Sequence, residues 1–175
     1  MKKLSLQELN RVDITTFKAQ EKTPIVLVLD NIRSGLNVGS AFRTADAFAL
    51  EHIYLCGISA QPPHREILKT AIGATESMSW SHHSSGVEVV KELRAKAYQV
   101  FAVEQAQGSI SLQNFKVEQE TKVALVFGNE VKGVSQDIMN VVDGAIEVPQ
   151  FGTKHSLNIS VCLGVVVWEL FRQMM

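Results

Sequence analysis

Cysteine is scarce in this chain: there are two among 175 residues, Cys56 and Cys162, and neither belongs to a C-x-x-C pair. One falls in an expected strand and the other in an expected helix. Both therefore read as buried free thiols of a reducing, cytoplasmic compartment. The five histidines show no zinc-ligand spacing, and His82-His83 is an adjacent pair flanked by serines, so no metal site is expected. After Met1-Lys2-Lys3 the chain turns polar at once (Gln7, Glu8, Asn10, Arg11), which leaves no apolar core for a signal peptide. The longest apolar run, Val161 to Trp168, has eight residues. A membrane span needs about 20, so no membrane association is expected. Charge of one sign is missing too: the formal net charge is −1. Bulk electrostatic binding to nucleic acid is disfavoured, and any basic surface must be local.

What is present is an ordinary globular composition, 46% hydrophobic and 20% charged, at a length that favours one domain with its own core. Residues 1–23 read as a polar extension with one short helix around Ser5–Arg11. Ile25 to Leu29 is a short apolar run between Pro24 and Asp30, the pattern of a buried parallel strand. Further strands are expected at His52–Cys56, Met78–His82, Tyr98–Val103, Lys122–Phe127 and Ala145–Val148. Helices are expected over residues 38–48, 65–72, Val87–Ala97, Ser135–Val142 and Leu157–Arg172. Alternating strands and helices define an α/β fold, a mostly parallel sheet with helices on both faces. The last helix is apolar nearly all round, with Val165 at its middle. It needs cover from the sheet and from a second subunit.

Three segments fall where such sheets bind ligands, at the carboxyl ends of strands. The first is Asn37-x-Gly39-x-x-x-Arg43. Its plain reading is that Asn37 caps a helix, Gly39 allows close packing and Arg43 pairs with Asp46. Its functional reading is that Arg43 grips a phosphate with its planar fork of donors. The second is Phe127-Gly128-Asn129-Glu130-x-x-Gly133. It is not G-x-G-x-x-G, and no G-x-x-x-x-G-K-[ST] occurs, so a nicotinamide-binding domain and a nucleotide hydrolase are disfavoured. Glu130 either orients a cation or hydroxyl, or is simply an acid favoured at a helix N-terminus. The third runs from Val148-Pro149-Gln150-Phe151-Gly152 through His155-Ser156-Leu157-Asn158 to Ser160. Ser156 and Asn158 could only cap the last helix. His155 beside Ser156 invites a hydrolase reading, but sequence neighbours seldom point the same way and no G-x-S-x-G elbow is present.

In this order and at these strand ends, the segments resemble the three motifs of the SpoU/TrmH family of RNA ribose 2′-O-methyltransferases, in the SPOUT superfamily. The resemblance rests on Asn37, Gly39 and Arg43; on Phe127, Gly128, Glu130 and Gly133; and on Pro149, Gly152, Ser156, Leu157, Asn158 and Ser160. It covers residues 24–173 and makes residues 24–175 the methyltransferase domain.

The resemblance implies a C-terminal deep trefoil knot around residues 128–158 and S-adenosylmethionine bound bent within it. The backbone near Val103, Gly128, Val148 and Leu157 would hold adenine and ribose, with Ser156 near the methionine end. It also implies a homodimer with the active site near the interface. Arg43 would clamp an RNA phosphate and stabilise negative charge developing on the 2′-oxygen. Glu130 and Asn158 would orient the arginine or the ribose, with Asn37 supporting them. The substrate would be tRNA or rRNA, with tRNA slightly favoured. The alternative is a knotted RNA- or cofactor-binding scaffold without catalysis, which would have no need for Arg43. No separate RNA-binding domain or long basic extension is in view. Recognition is therefore expected on the domain's own surface, with Arg33, Arg65, Lys69, Lys132 and Lys154 as candidates.

Overall fold

The computed structural model describes residues 1–5 and 7–175. Seven strands form one sheet: β1 (Thr23–Asp30), β2 (Leu50–Cys56), β3 (Trp80–His83), β4 (Gln99–Val103), β5 (Ile110–Ser111), β6 (Val123–Phe127) and β7 (Gly144–Glu147). Their order is β3-β2-β1-β6-β4-β7-β5, and every pairing is parallel. Among the described residues seven α-helices accompany them: α1 (Ile14–Ala19), α2 (Gly35–Ala47), α3 (Arg65–Ala71), α4 (Ala74–Ser77), α5 (Gly86–Ala95), α6 (Gln136–Met139) and α7 (Ile159–Met174).

The central strands are apolar without interruption because both faces of the sheet are covered. Successive side chains point to opposite faces, so one strand feeds two cores. Ile25, Leu27 and Leu29 of β1 pack with Val38, Phe42, Ile67, Leu163 and Val166, from α2, α3 and α7. Val26 and Val28 pack on the other face with Val89, Val90 and Leu93 of α5 and Ile138 of α6. β6 divides in the same way, with Leu125 in the first core and Ala124 and Val126 in the second.

Several elements differ from the sequence expectation. Residue 6, within the short helix expected around Ser5–Arg11, lies outside the described residues, and Gln7–Leu9 form a single 3-10 turn. The segment expected as a polar extension contains α1. Asp13 caps it by accepting from the Thr16 N–H at 2.9 Å, and its Phe17 is buried in the first core. The helix expected over residues 38–48 begins three residues earlier, at Gly35, because Ser34 and not Asn37 is its N-cap. α7 begins at Ile159, so Leu157 lies in the irregular segment before it. β5 and α4 have no counterpart in the expectation. With two and four residues they are too short to show periodicity.

α7 is buried along Leu163, Val166, Val167 and Leu170, while Val161, Val165 and Trp168 remain 54%, 41% and 48% exposed. The fold therefore covers only one side of it. Cys56 is buried and Cys162 half-buried, and both are free. Among the described residues, no helix is long and apolar enough to cross a membrane, and no group of three His, Cys, Asp or Glu could hold a metal ion.

Candidate active site

Because all strands are parallel, the ends of β4, β6 and β7 open on the same edge, and the loops that leave them surround a cavity of about 580 Å³. That volume suits a ligand the size of a nucleoside with a side arm. Val103 contributes from β4, Gly128 and Glu130 from the loop after β6, and Val148 from the end of β7. Ser156, Leu157 and Asn158 close the wall before α7. Gly128 cannot carry a side chain: a Cβ there would lie 2.2 Å from the backbone of Gly133 and Val134, where the loop folds back on itself.

Three of the candidate polar residues form one network. Glu130 accepts from the backbone N–H of Ser34 at 3.1 Å and of Arg33 at 3.3 Å, and from Asn37 Nδ2 at 3.2 Å. Asn158 Nδ2 in turn donates to Asn37 Oδ1 at 3.3 Å. Asn129 Nδ2 adds a bond to the Asn31 carbonyl at 2.8 Å. The three motif segments, far apart in the chain, are thus tied at one place. Asn37 sits in the first turn of α2, and Glu130 lies against that helix N-terminus, where an anion is favoured. Partial burial pushes the Glu130 carboxyl up. The hydrogen bonds from its own N–H, from Ser34, Asn37 and Arg33 outweigh this and hold it below the ordinary carboxylate value.

Asn158 caps α7, its Oδ1 accepting from the Ser160 N–H at 2.9 Å, so its capping and network roles coexist. Ser156 is exposed on the cavity wall. His155 and Ser156 share that wall, but no hydrogen bond joins them among the described residues.

Arg43 is placed elsewhere. It does not line the cavity, and it does not pair with Asp46, whose carboxylate accepts from Ser77 Oγ. It lies in a shallow groove with Ser40, Thr44, Phe48, Lys69 and Thr70. Gly39 explains the groove. A Cβ on it would come within 2.1 Å of Thr70 Oγ1 and 2.4 Å of the Ile67 carbonyl, so only glycine lets α3 lie this close to α2. The groove adjoins the apolar side of α7 through Phe48, whose ring lies 5.9 Å from that of Trp168 and 5.1 Å from that of Phe171. Glu130 and Asn158 therefore do not orient Arg43 within one chain.

Sequence reasoning named Val103 but missed its successors Glu104 and Gln105, which also line the cavity. Glu104 accepts from the Val134 N–H at 3.0 Å, and Gln105 Nε2 donates to the His155 carbonyl at 2.8 Å. The available signal was position alone, two polar residues at the carboxyl end of a central strand.

The model of the SpoU rRNA methylase family matches residues 24–168, and the chain belongs to that family. It is 30% identical over 156 residues to a tRNA (guanosine(18)-2′-O)-methyltransferase of Aquifex aeolicus, covering 85% of this chain and 69% of the relative. It is 28% identical over 167 residues to the 23S rRNA (guanosine-2′-O-)-methyltransferase RlmB of Haemophilus ducreyi, covering 95% and 67%. Among solved structures, an AdoMet-bound rRNA methyltransferase of Sinorhizobium meliloti superposes with a TM-score of 0.80 at 26% identity, covering 89% of this chain and 58% of that one. The chain thus spans about two thirds of the length of these sequence relatives and under three fifths of that structure.

Proposed function

We propose that this protein transfers the methyl group of S-adenosylmethionine to a ribose 2′-hydroxyl of tRNA or rRNA, as a cytoplasmic homodimer. The observation that carries the reading is that Asn37 of the first motif segment is tied by Glu130 and Asn158 to the two segments that line the cavity. The cavity suits the cofactor. Val103, Ile146, Val148, Leu157 and Ile159 supply apolar surface for a purine, and carboxylates suit a cationic ligand. S-adenosylmethionine supplies an electrophilic methyl group when bound, so the protein's own task is largely positioning. Ser156 and the backbone around Gly128 and Leu157 hold the ligand, and Asn158 and Glu130 fix the rim where the ribose would enter.

Arg43 carries the RNA phosphate and the charge developing on the 2′-oxygen. Its groove is separate from the cavity of its own chain and continuous with the uncovered side of α7. A second copy seated on that side would bring the arginine of one protomer toward the cavity of its partner. The exposed Val161, Val165 and Trp168 support this. The knot belongs to the same reading. β6 inserts between β1 and β4, and β7 between β4 and β5, after the flanking strands have formed along the chain. A strand laid between earlier ones is compatible with threading around residues 128–158.

The test is methyl transfer from labelled S-adenosylmethionine to bulk RNA, followed by nucleotide analysis, for the wild type and Arg43→Ala. The wild type should yield 2′-O-methylnucleosides. The variant should lose transfer while binding the cofactor with unchanged affinity. Cofactor and RNA binding without transfer by the wild type would establish the scaffold instead.

A further inference from the structure

Glu104 stands at the carboxyl end of β4 with its charge fixed at the cavity. Its Oε2 accepts from the Val134 N–H at 3.0 Å and its Oε1 from the Gln105 N–H at 3.0 Å. It cannot turn away easily, because the loop after β6 passes directly over it. Gly133, at φ +67°, is so close that a Cβ there would lie 2.2 Å from Glu104 Oε2. Of the other acids lining the cavity, Glu130 is already committed to donors at the start of α2, and Glu147 ends β7. Among the described residues lining the cavity, Lys132 is the one lysine or arginine, and its side chain is exposed. The field of Glu104 reaches Cys162 of α7, whose thiol is pushed up to about 11 by burial first and by this carboxylate second.

A fixed anion in a half-buried cavity discriminates between ligands of equal shape and different charge. In methyl transfer the sulfur–methyl bond breaks and its electron pair stays on sulfur. A bond forms between that methyl and the ribose oxygen, and the hydroxyl proton passes to solvent. The sulfonium cation thereby becomes a neutral thioether. We propose that Glu104 makes this cavity prefer the cationic sulfonium cofactor to its neutral thioether product, so that the charge lost in the reaction favours product release. The inference rests on the cofactor reading given above.

Calorimetry on the full chain with S-adenosylmethionine and S-adenosylhomocysteine tests it. In Glu104→Gln, which keeps an acceptor for the Val134 N–H, the preference for the sulfonium form should fall by about tenfold, the scale of one partly screened charge pair. Glu104→Asp, which keeps the charge, should retain the preference even if both ligands bind more weakly. Glu104→Ala replaces the glutamine variant if melting shows the latter unfolded. Equal losses for the two ligands would reduce Glu104 to a strut between loops and overturn the proposal, as would an unchanged preference. A folded wild type that binds neither ligand would overturn the cofactor reading itself.

Discussion

Glu130 and Asn37 meet at 3.2 Å across 93 residues of chain, and this bond joins the loop after β6 to the first turn of α2. The same carboxylate takes the N–H groups of Arg33 and Ser34, so it acts as an anion at a helix start supplied from another part of the fold.

Glu130→Gln should lower stability by about 1 kcal/mol near neutral pH, the scale of a weakened helix cap. The folded carboxyl lies below its ordinary value of 4.5. Its contribution is therefore complete above that value and is lost as pH falls through the lower folded value. Melting curves of wild type and variant should differ at pH 7 and converge as pH drops below 4.5. A difference that did not shrink at all as pH fell below 4.5 would contradict the charge assignment.

Asn158→Ala removes a cap of α7 and the partner of Asn37 together. The stability cost should be about 1 kcal/mol. Methyl transfer should fall by about 100-fold, the scale of losing one orienting donor at a reacting centre. Parallel thermal melts and turnover assays separate the two roles, and an activity loss no larger than the folding loss would leave only the cap.

Gly39→Ala sets two effects against each other. Alanine gains about 1 kcal/mol over glycine in a free helix. Here its Cβ meets the backbone carbonyl of Ile67 at 2.4 Å as well as Thr70, so α3 must move. A net destabilisation of about 1–3 kcal/mol is expected, as for an overpacked contact, measured by urea unfolding. A stabilised variant would show that the two helices separate freely.

Val165→Asp should leave the fold intact and abolish self-association. A mid-helix apolar position suggests burial, but the side chain is 41% exposed in the single chain. Light scattering should give a mass near 19.3 kDa for the variant and twice that for the wild type. A monomeric wild type would remove the support that α7 lends to the dimer.

Much of the fold was legible from local pattern. Ile25 to Leu29 declared a strand buried on both faces, and the spacing of Val89, Val90 and Leu93 declared a helix. The three polar segments at strand ends marked the edge where a ligand would bind. These signals are local because strand and helix periodicity are written within a few residues. Tertiary structure decided the partnerships. Ser34, not Asn37, caps α2, because Asn37 is held by Glu130 and Asn158 from distant loops. Gly39 proved a packing residue because α3 happens to cross there. Arg43 lies outside the cavity because its position on α2 faces α3 and the open side of α7. Glu104 drew no notice from its neighbours in sequence, since its place beneath Gly133 follows from β6 pairing beside β4. Contacts between residues tens of positions apart leave no periodic trace in the chain. They arise only when the sheet order brings the strand ends together.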